Sequence, residues 1–316
     1  MPKEKITFKG IWQVLKDTFK GFSQNKVTKL SGSLAYYTVF SMGPLLVVII
    51  SLCGIFLQKE AIENEIYIIL EDFVGSDTAL QLQEIIKNAA IGNKSTIAAI
   101  IGIVALLIGA TTVFAEIQDS INTIWGLKPK PKRGLLKMLM NRFLSFSVII
   151  SLGFLLLVSL TITGVIESIS TRLQAKFPDV TVVLFYIVNL ILTICICTLI
   201  FSVIFKVLPD ARIKWKDVMA GAFITTILFM IGKFGISLYI SQTKVGSTYG
   251  AAGSLVILLV WVYYSSIILY IGAEFTKAYA IHYGDAIHPN DYAVTTKEIT
   301  VEAGNKTIQE VQDKEI

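Results

Sequence analysis

The residues that could do chemistry are few, and they stand inside long apolar runs where a charge is costly. In one run Gly102, Ala105, Gly109, Thr112, Glu116 and Asp119 recur at steps of three and four, which puts them on one helix face. Small residues let helices approach closely, and ionisable groups within such a run face the protein interior or water, so this is not a lipid face. Two readings of Glu116 and Asp119 are open. They line a polar cavity that opens toward one side, or they pair with Lys206, Arg212 or the basic segment 128–142 and fix helix packing. Lys233 lies eight residues before Ser241, about 12 Å below the end of its run at about 1.5 Å per residue. A charge at that depth costs on the order of 3 kcal/mol, so a partner is expected: Glu167, an acid from the segment 58–94, or an anionic lipid headgroup. Thr226, Ser237 and Ser241 share its face.

A second seam runs through Tyr263, Ser266, Tyr270, Glu274 and Lys277, again at helical steps, with Glu274 and Lys277 expected at the interface. Tyr36, Tyr37, Thr38 and Ser41 make the first run polar just before Gly43 and Pro44, which can kink it. Asn189 is placed to hydrogen-bond across helices. These side chains suit headgroup contacts, not hydrolysis. The two histidines, His282 and His288, follow the last apolar run, and no ligand cluster, Gly-rich phosphate loop or nucleophile turn is present. The expectation is a protein without enzymatic chemistry, metal or cofactor, and without ATP-driven pumping of its own. Cys53, Cys195 and Cys197 lie in apolar runs and read as packing residues.

The elements that must position these residues are membrane helices. Of 316 residues 54% are hydrophobic and 16% charged, against about 25% charge in a soluble domain. Roughly 20 helical residues cross a hydrocarbon core of about 30 Å. Apolar runs at 33–57, 95–125, 140–167, 180–208, 215–241 and 252–276 give an all-α, polytopic six-transmembrane-helix bundle over 1–285. Ahead of it, Phe8, Ile11, Trp12, Leu15 and Phe19 with Lys9, Lys16 and Lys20 predict an interfacial amphipathic helix over 8–28. An acidic external loop of short helices is expected at 58–94, and a disordered tail at 286–316. No cleavable signal peptide is visible, so the first span is expected to direct insertion.

Cations sort by side. The N-terminal segment, the loop 128–142 and the loop carrying Lys206, Arg212, Lys214 and Lys216 fall on one face of the six-span layout, which makes that face, and both termini, cytoplasmic. Trp125 and Trp215 are expected as anchors at that interface. Charge sorted in this way argues against a nucleic-acid surface.

Four stretches carry a family resemblance: SGSLAYYTVFSMGPLL from Ser31, SINTIWGLKPKPKRG from Ser120, FKVLPDARIKWKDVMAGA from Phe205 and YGAAGSLVILLVWVYYSSIILYIGAEF from Tyr249. The chain resembles, over roughly 10–280, the YihY/BrkB family of bacterial inner-membrane proteins. The resemblance implies a six-span fold. Members were long labelled ribonuclease BN, a label regarded as misassigned; others are linked to virulence and serum resistance, or implicated in moving envelope lipids. It implies no catalytic residues. Its motif residues, Tyr36, Tyr37, Asn122, Asp210, Arg212, Tyr264 and Glu274, lie on or beside the polar seams. Together these readings lead to the expectation of a transporter-like protein that moves or accommodates a phospholipid or other envelope amphiphile, with membrane lipids as partners and an anionic headgroup at Lys233. The alternative is a structural or accessory protein of the envelope.

Overall fold

Thr7 starts the first helix: its hydroxyl accepts the Gly10 amide at 3.3 Å, satisfying one of the free N–H groups of the opening turn. The computed structural model describes residues 7–56, 96–129, 178–242, 253–291 and 293–296. In it α1 spans Phe8–Gln24. The Asn25 amide then closes on the Gly21 carbonyl (2.8 Å), Lys26 turns with φ 51°, and α2 (Val27–Phe56) begins at once. The expected interfacial helix over 8–28 therefore stops at Gln24, because Asn25 caps it and Lys26 takes a left-handed turn. α2 continues through Gly43 and Pro44 without interruption.

α3 (Thr96–Trp125) lies antiparallel to α2. Gly109 makes the approach possible: a Cβ there would stand 2.9 Å from the Ser41 Cβ. α4 (Pro178–Val207) and α5 (Trp215–Gln242) form a second antiparallel pair, bridged where Thr198 donates to Thr226 at 3.1 Å. α6 (Gly253–His282) joins the two pairs, packing on α2, α3, α5 and α1. Its seam with α5 interlocks small residues, Thr225 lying over Gly272 and Thr276 over Gly221.

Five of the expected spans coincide with α2 to α6, while the span at 140–167 and the loop at 58–94 lie outside the described residues. Three stretches among the described residues are long and apolar enough to cross a membrane: Ile187–Val207, Trp215–Ile236 and Leu255–His282. α3, α4 and α6 end, and α2 and α5 begin, on the same side, hereafter the basic end. The main core lies there, with Ile121, Ile124, Trp125, Phe205, Leu208 and Tyr270 buried. Since a 30-residue helix is about 45 Å long, Pro129 and Pro178 stand at opposite ends of the bundle.

Four short strands tie the basic end together. β1 (Leu127–Pro129) follows α3, β2 (Ala211–Arg212) follows α4, and β3 (His288–Pro289) and β4 (Ala293–Thr295) follow α6. β1 pairs antiparallel with β4, Lys128 opposite Val294, and β2 with β3, Arg212 opposite His288. The segment expected to be disordered from 286 thus carries two short strands, at 288–289 and 293–295, because the two loops offer it unpaired backbone edges. Trp125 also departs from expectation: it is no surface anchor but is 5% exposed, its indole N–H donating to the Ala273 carbonyl at 3.1 Å.

Candidate functional site

The turn after α4 places Asp210 in the gap between α3 and α4, where it is 2% exposed. Gln118 Nε2 donates to Asp210 Oδ1 (2.9 Å) and Asn122 Nδ2 to Asp210 Oδ2 (3.1 Å). Asn122 Oδ1 in turn accepts the Asp210 amide (2.8 Å), and the Asp210 carbonyl accepts the Asn290 amide (3.0 Å). Gln118 and Asn122 are one helical turn apart, so both reach the same carboxylate. The knot binds α3, the turn after α4 and the segment after α6 into one unit, with hydrogen bonds to a charged acceptor that are stronger than neutral ones.

Glu274 is equally hidden, 2% exposed, and belongs to the junction of α1, α2 and α6. Asn25 Nδ2 donates to its Oε1 at 2.6 Å, and Gly21 leaves the room its carboxylate fills, since any Cβ there would overlap Glu274 Oε2. Three residues on, Lys277 Nζ caps the C-terminus of α3 by donating to the Ile124 carbonyl (2.6 Å). The expected interfacial pair Glu274 and Lys277 is therefore divided between two neighbours, and both groups serve helix ends.

α1 is clamped along the last turns of α6. The Tyr283 hydroxyl lies 3.4 Å from the Thr7 amide, beside Gly10, while Val14 packs with Phe275, Ala278 and Tyr283. Asp17 Oδ2 lies 2.8 Å from His282 Nε2. That hydrogen bond holds the Asp17 carboxyl below its ordinary value of 3.8, against a smaller opposing effect of burial. A depressed carboxyl pKa contributes stability that is present above the unfolded value and is lost as pH falls through the folded one. The docking of α1 is thus expected to loosen below about pH 4. Protease susceptibility at Lys9, Lys16 and Lys20 should rise there in the wild type, and Asp17→Asn should flatten that acid limb.

Arg212 and Lys206 make neither of the partnerships open to Glu116 and Asp119 in the sequence. The Arg212 guanidinium binds both oxygens of Asp291 at 2.9 Å, and Lys206 donates to the Ile213 carbonyl while lying 5.8 Å from the centre of the Trp215 ring. Lys214 meets Asp285 at 2.6 Å, which holds its ammonium above the usual 10.5. Asp217 fits against Gly284 and accepts the Asp285 amide at 3.2 Å.

The remaining candidates are not gathered into this network. Glu116 is half-buried and has no ion pair or hydrogen bond among the described residues; the hydroxyl of Tyr270, wholly buried, is its neighbour. Ser120, one turn after Glu116, lies beside the same hydroxyl, yet Ser120 and Tyr270 close no hydrogen bond. Asp119 is exposed and partnered. Ser266 donates to the Val262 carbonyl of its own helix (2.7 Å). Tyr263 stands near Gly32, and the Tyr264 hydroxyl covers Gly232. Tyr36 and Tyr37 are exposed, with their rings edge to face. Lys233 is exposed beside Cys197 and makes no ion pair among the described residues; Glu167 lies outside them. Cys195 and Asn189 are also exposed on α4, where packing and an interhelical bond were expected.

Sequence reasoning missed Gln118, Asn25, Asp17, Asp217 and the Gly/Thr seam. Gln118 carried a signal, the amide pair one helical turn apart with Asn122. Asn25 carried none, because its partner is 249 residues away.

Comparison with known proteins is consistent over almost the whole chain. The model of a family described as Virulence factor BrkB matches residues 18–293. A UPF0761 membrane protein of Alteromonas mediterranea is 28% identical over 284 residues, 87% of this chain and 92% of its own. One from Pseudoalteromonas atlantica is 27% identical over 267 residues, covering 84% and 85%, and one from Haemophilus influenzae 26% over 261, covering 81% and 91%. No solved structure matches.

Proposed function

Since the chain belongs to the Virulence factor BrkB family of membrane proteins, we propose that it accommodates an amphiphile, a phospholipid or other envelope lipid, and lets its headgroup cross along α3 and α6. The observation that carries this reading is the division of the polar side chains into two sets. Asn122, Asp210, Arg212 and Glu274 are spent on intramolecular bonds at the basic end. Glu116, with the buried hydroxyls of Ser120 and Tyr270 beside it, keeps its hydrogen-bonding capacity unused among the described residues, inside an otherwise apolar bundle. Such groups are costly unless a polar visitor or water meets them.

In a six-span layout the excess of Lys and Arg at the basic end supports a cytoplasmic position for it. The separation of Pro129 and Pro178 to opposite ends supports one further crossing between them. Lys233 then stands toward the outer leaflet, where its ammonium suits a headgroup phosphate. The mechanism is a path for a headgroup while the tails stay in lipid, with no bond made or broken.

Reconstitution into vesicles carrying fluorescent phospholipids tests it. The expected result is flipping faster than in empty vesicles, slowed by Glu116→Ala. No acceleration with any of several headgroups would leave the second reading, an accessory membrane protein. That alternative is favoured by how much of the polar seam closes the fold instead of lining a path.

A further inference from the structure

α1 meets three different surroundings with three different faces. At roughly 100° per residue, Gly10, Val14, Asp17, Thr18 and Gly21 fall together, and this is the face against α6. It is built from small and polar residues. The large apolar residues lie elsewhere: Phe8, Trp12 and Phe19 form a stripe that is 88%, 66% and 69% exposed. Lys9, Lys16 and Lys20, all exposed, make a third stripe about 90° further round. The one acid of the helix, Asp17, belongs to the α6 face, about 80° from the lysine stripe, and is held by His282.

A helix that turned its aromatics toward water while using glycine and threonine to pack would be inverted for an aqueous surface, whereas the order is right for a membrane interface. Aromatic rings sit at the headgroup level, their bodies in the acyl boundary, and lysines beside them reach lipid phosphates. Three lysines on an acid-free stripe complement a negative surface, at about a fewfold gain for each one near it.

We propose that α1 is an anionic-lipid contact surface, with Phe8, Trp12 and Phe19 in the acyl boundary, Lys9, Lys16 and Lys20 on acidic headgroups, and its remaining face clamped to α6. The surface is independent of any lipid movement along α3 and α6, so it stands or falls separately from that reading. α1 is thereby the place where the leaflet's charge bears on the junction holding Glu274.

The test is made on the full-length protein in nanodiscs of phosphatidylcholine with phosphatidylglycerol, one or the other lipid brominated on its acyl chain. The Trp12 signal is the difference between the wild type and Trp12→Phe. Brominated phosphatidylglycerol is expected to quench it several-fold more than brominated phosphatidylcholine at equal mole fraction. The preference should vanish in Lys9→Gln/Lys16→Gln/Lys20→Gln, whose side chains lie off the α6 face. Quenching by neither lipid would mean that protein or water covers the stripe, and would overturn the proposal. Equal quenching by both in the wild type, or an undiminished preference in the triple variant, would overturn its charge basis.

Discussion

Asp210→Ala is expected to destabilise the folded protein by roughly 2–6 kcal/mol, the sum for two buried donors stranded at about 1–3 kcal/mol each. Gln118 and Asn122 keep their positions on α3 but lose the acceptor between them. Against a typical total of about 5–15 kcal/mol, that is a large share. Asp210→Asn should cost less: the Gln118 amide can turn over to accept from the new Nδ2, while Asn122 is fixed by the Asp210 amide it accepts. The comparison that decides the cause is Asp291→Ala. Its pair with Arg212 sits with side chains 64% and 84% exposed, so solvent screens it, and less than about 1 kcal/mol is expected. Denaturation of the three variants in one detergent, followed by intrinsic fluorescence, gives the order. Equal losses for Asp210→Ala and Asp291→Ala would show that the strands after α6, not the buried carboxylate, hold the basic end.

Gly221→Ala is the second large effect. A methyl at that position would overlap the Thr276 hydroxyl and stand 2.8 Å from the Thr276 Cβ and 3.1 Å from its Cα, so α5 and α6 must move apart. Overpacking of this sort costs about 1–3 kcal/mol, and more when backbone is in the way. Thr276→Gly in the same chain restores the space and should recover most of the loss, less about 1 kcal/mol for a glycine inside a helix. Gly235, on the same helix, has nothing within 4 Å of its would-be Cβ. Gly235→Ala should be neutral or raise stability by up to about 1 kcal/mol, the helix-propensity gain alone. Thermal unfolding of Gly221→Ala, the double variant and Gly235→Ala separates steric conflict from propensity; a Gly221→Ala protein as stable as Gly235→Ala would refute the close seam.

Much of the helical layout was legible before any coordinates. Runs of apolar residues gave α2 to α6 to within about six residues at each end, and the four motif stretches pointed to the family. The candidate site was legible only in part. Glu274 and Asn122 were singled out as members of a path and Asp210 as a residue of the basic loop, and the structure spends all three on closing the fold. Trp125 was placed at a surface because tryptophans favour interfaces, yet the meeting of α3 with α6 buries it.

The sequence alone determined that this chain forms long helices, roughly where they lie, and which ends are basic, because those properties depend on neighbours a few residues apart. Only the tertiary structure decided that Gln118 and Asn122 face Asp210, that Gly21 faces Glu274, and that residues 288–289 and 293–295 form strands. The physical reason is rotation. A helix that is apolar all round has no hydrophobic stripe to say which side turns inward. In a membrane that side is set by close packing and hydrogen bonds between residues far apart in the chain, 88 in the case of Asn122 and Asp210 and 249 for Asn25 and Glu274.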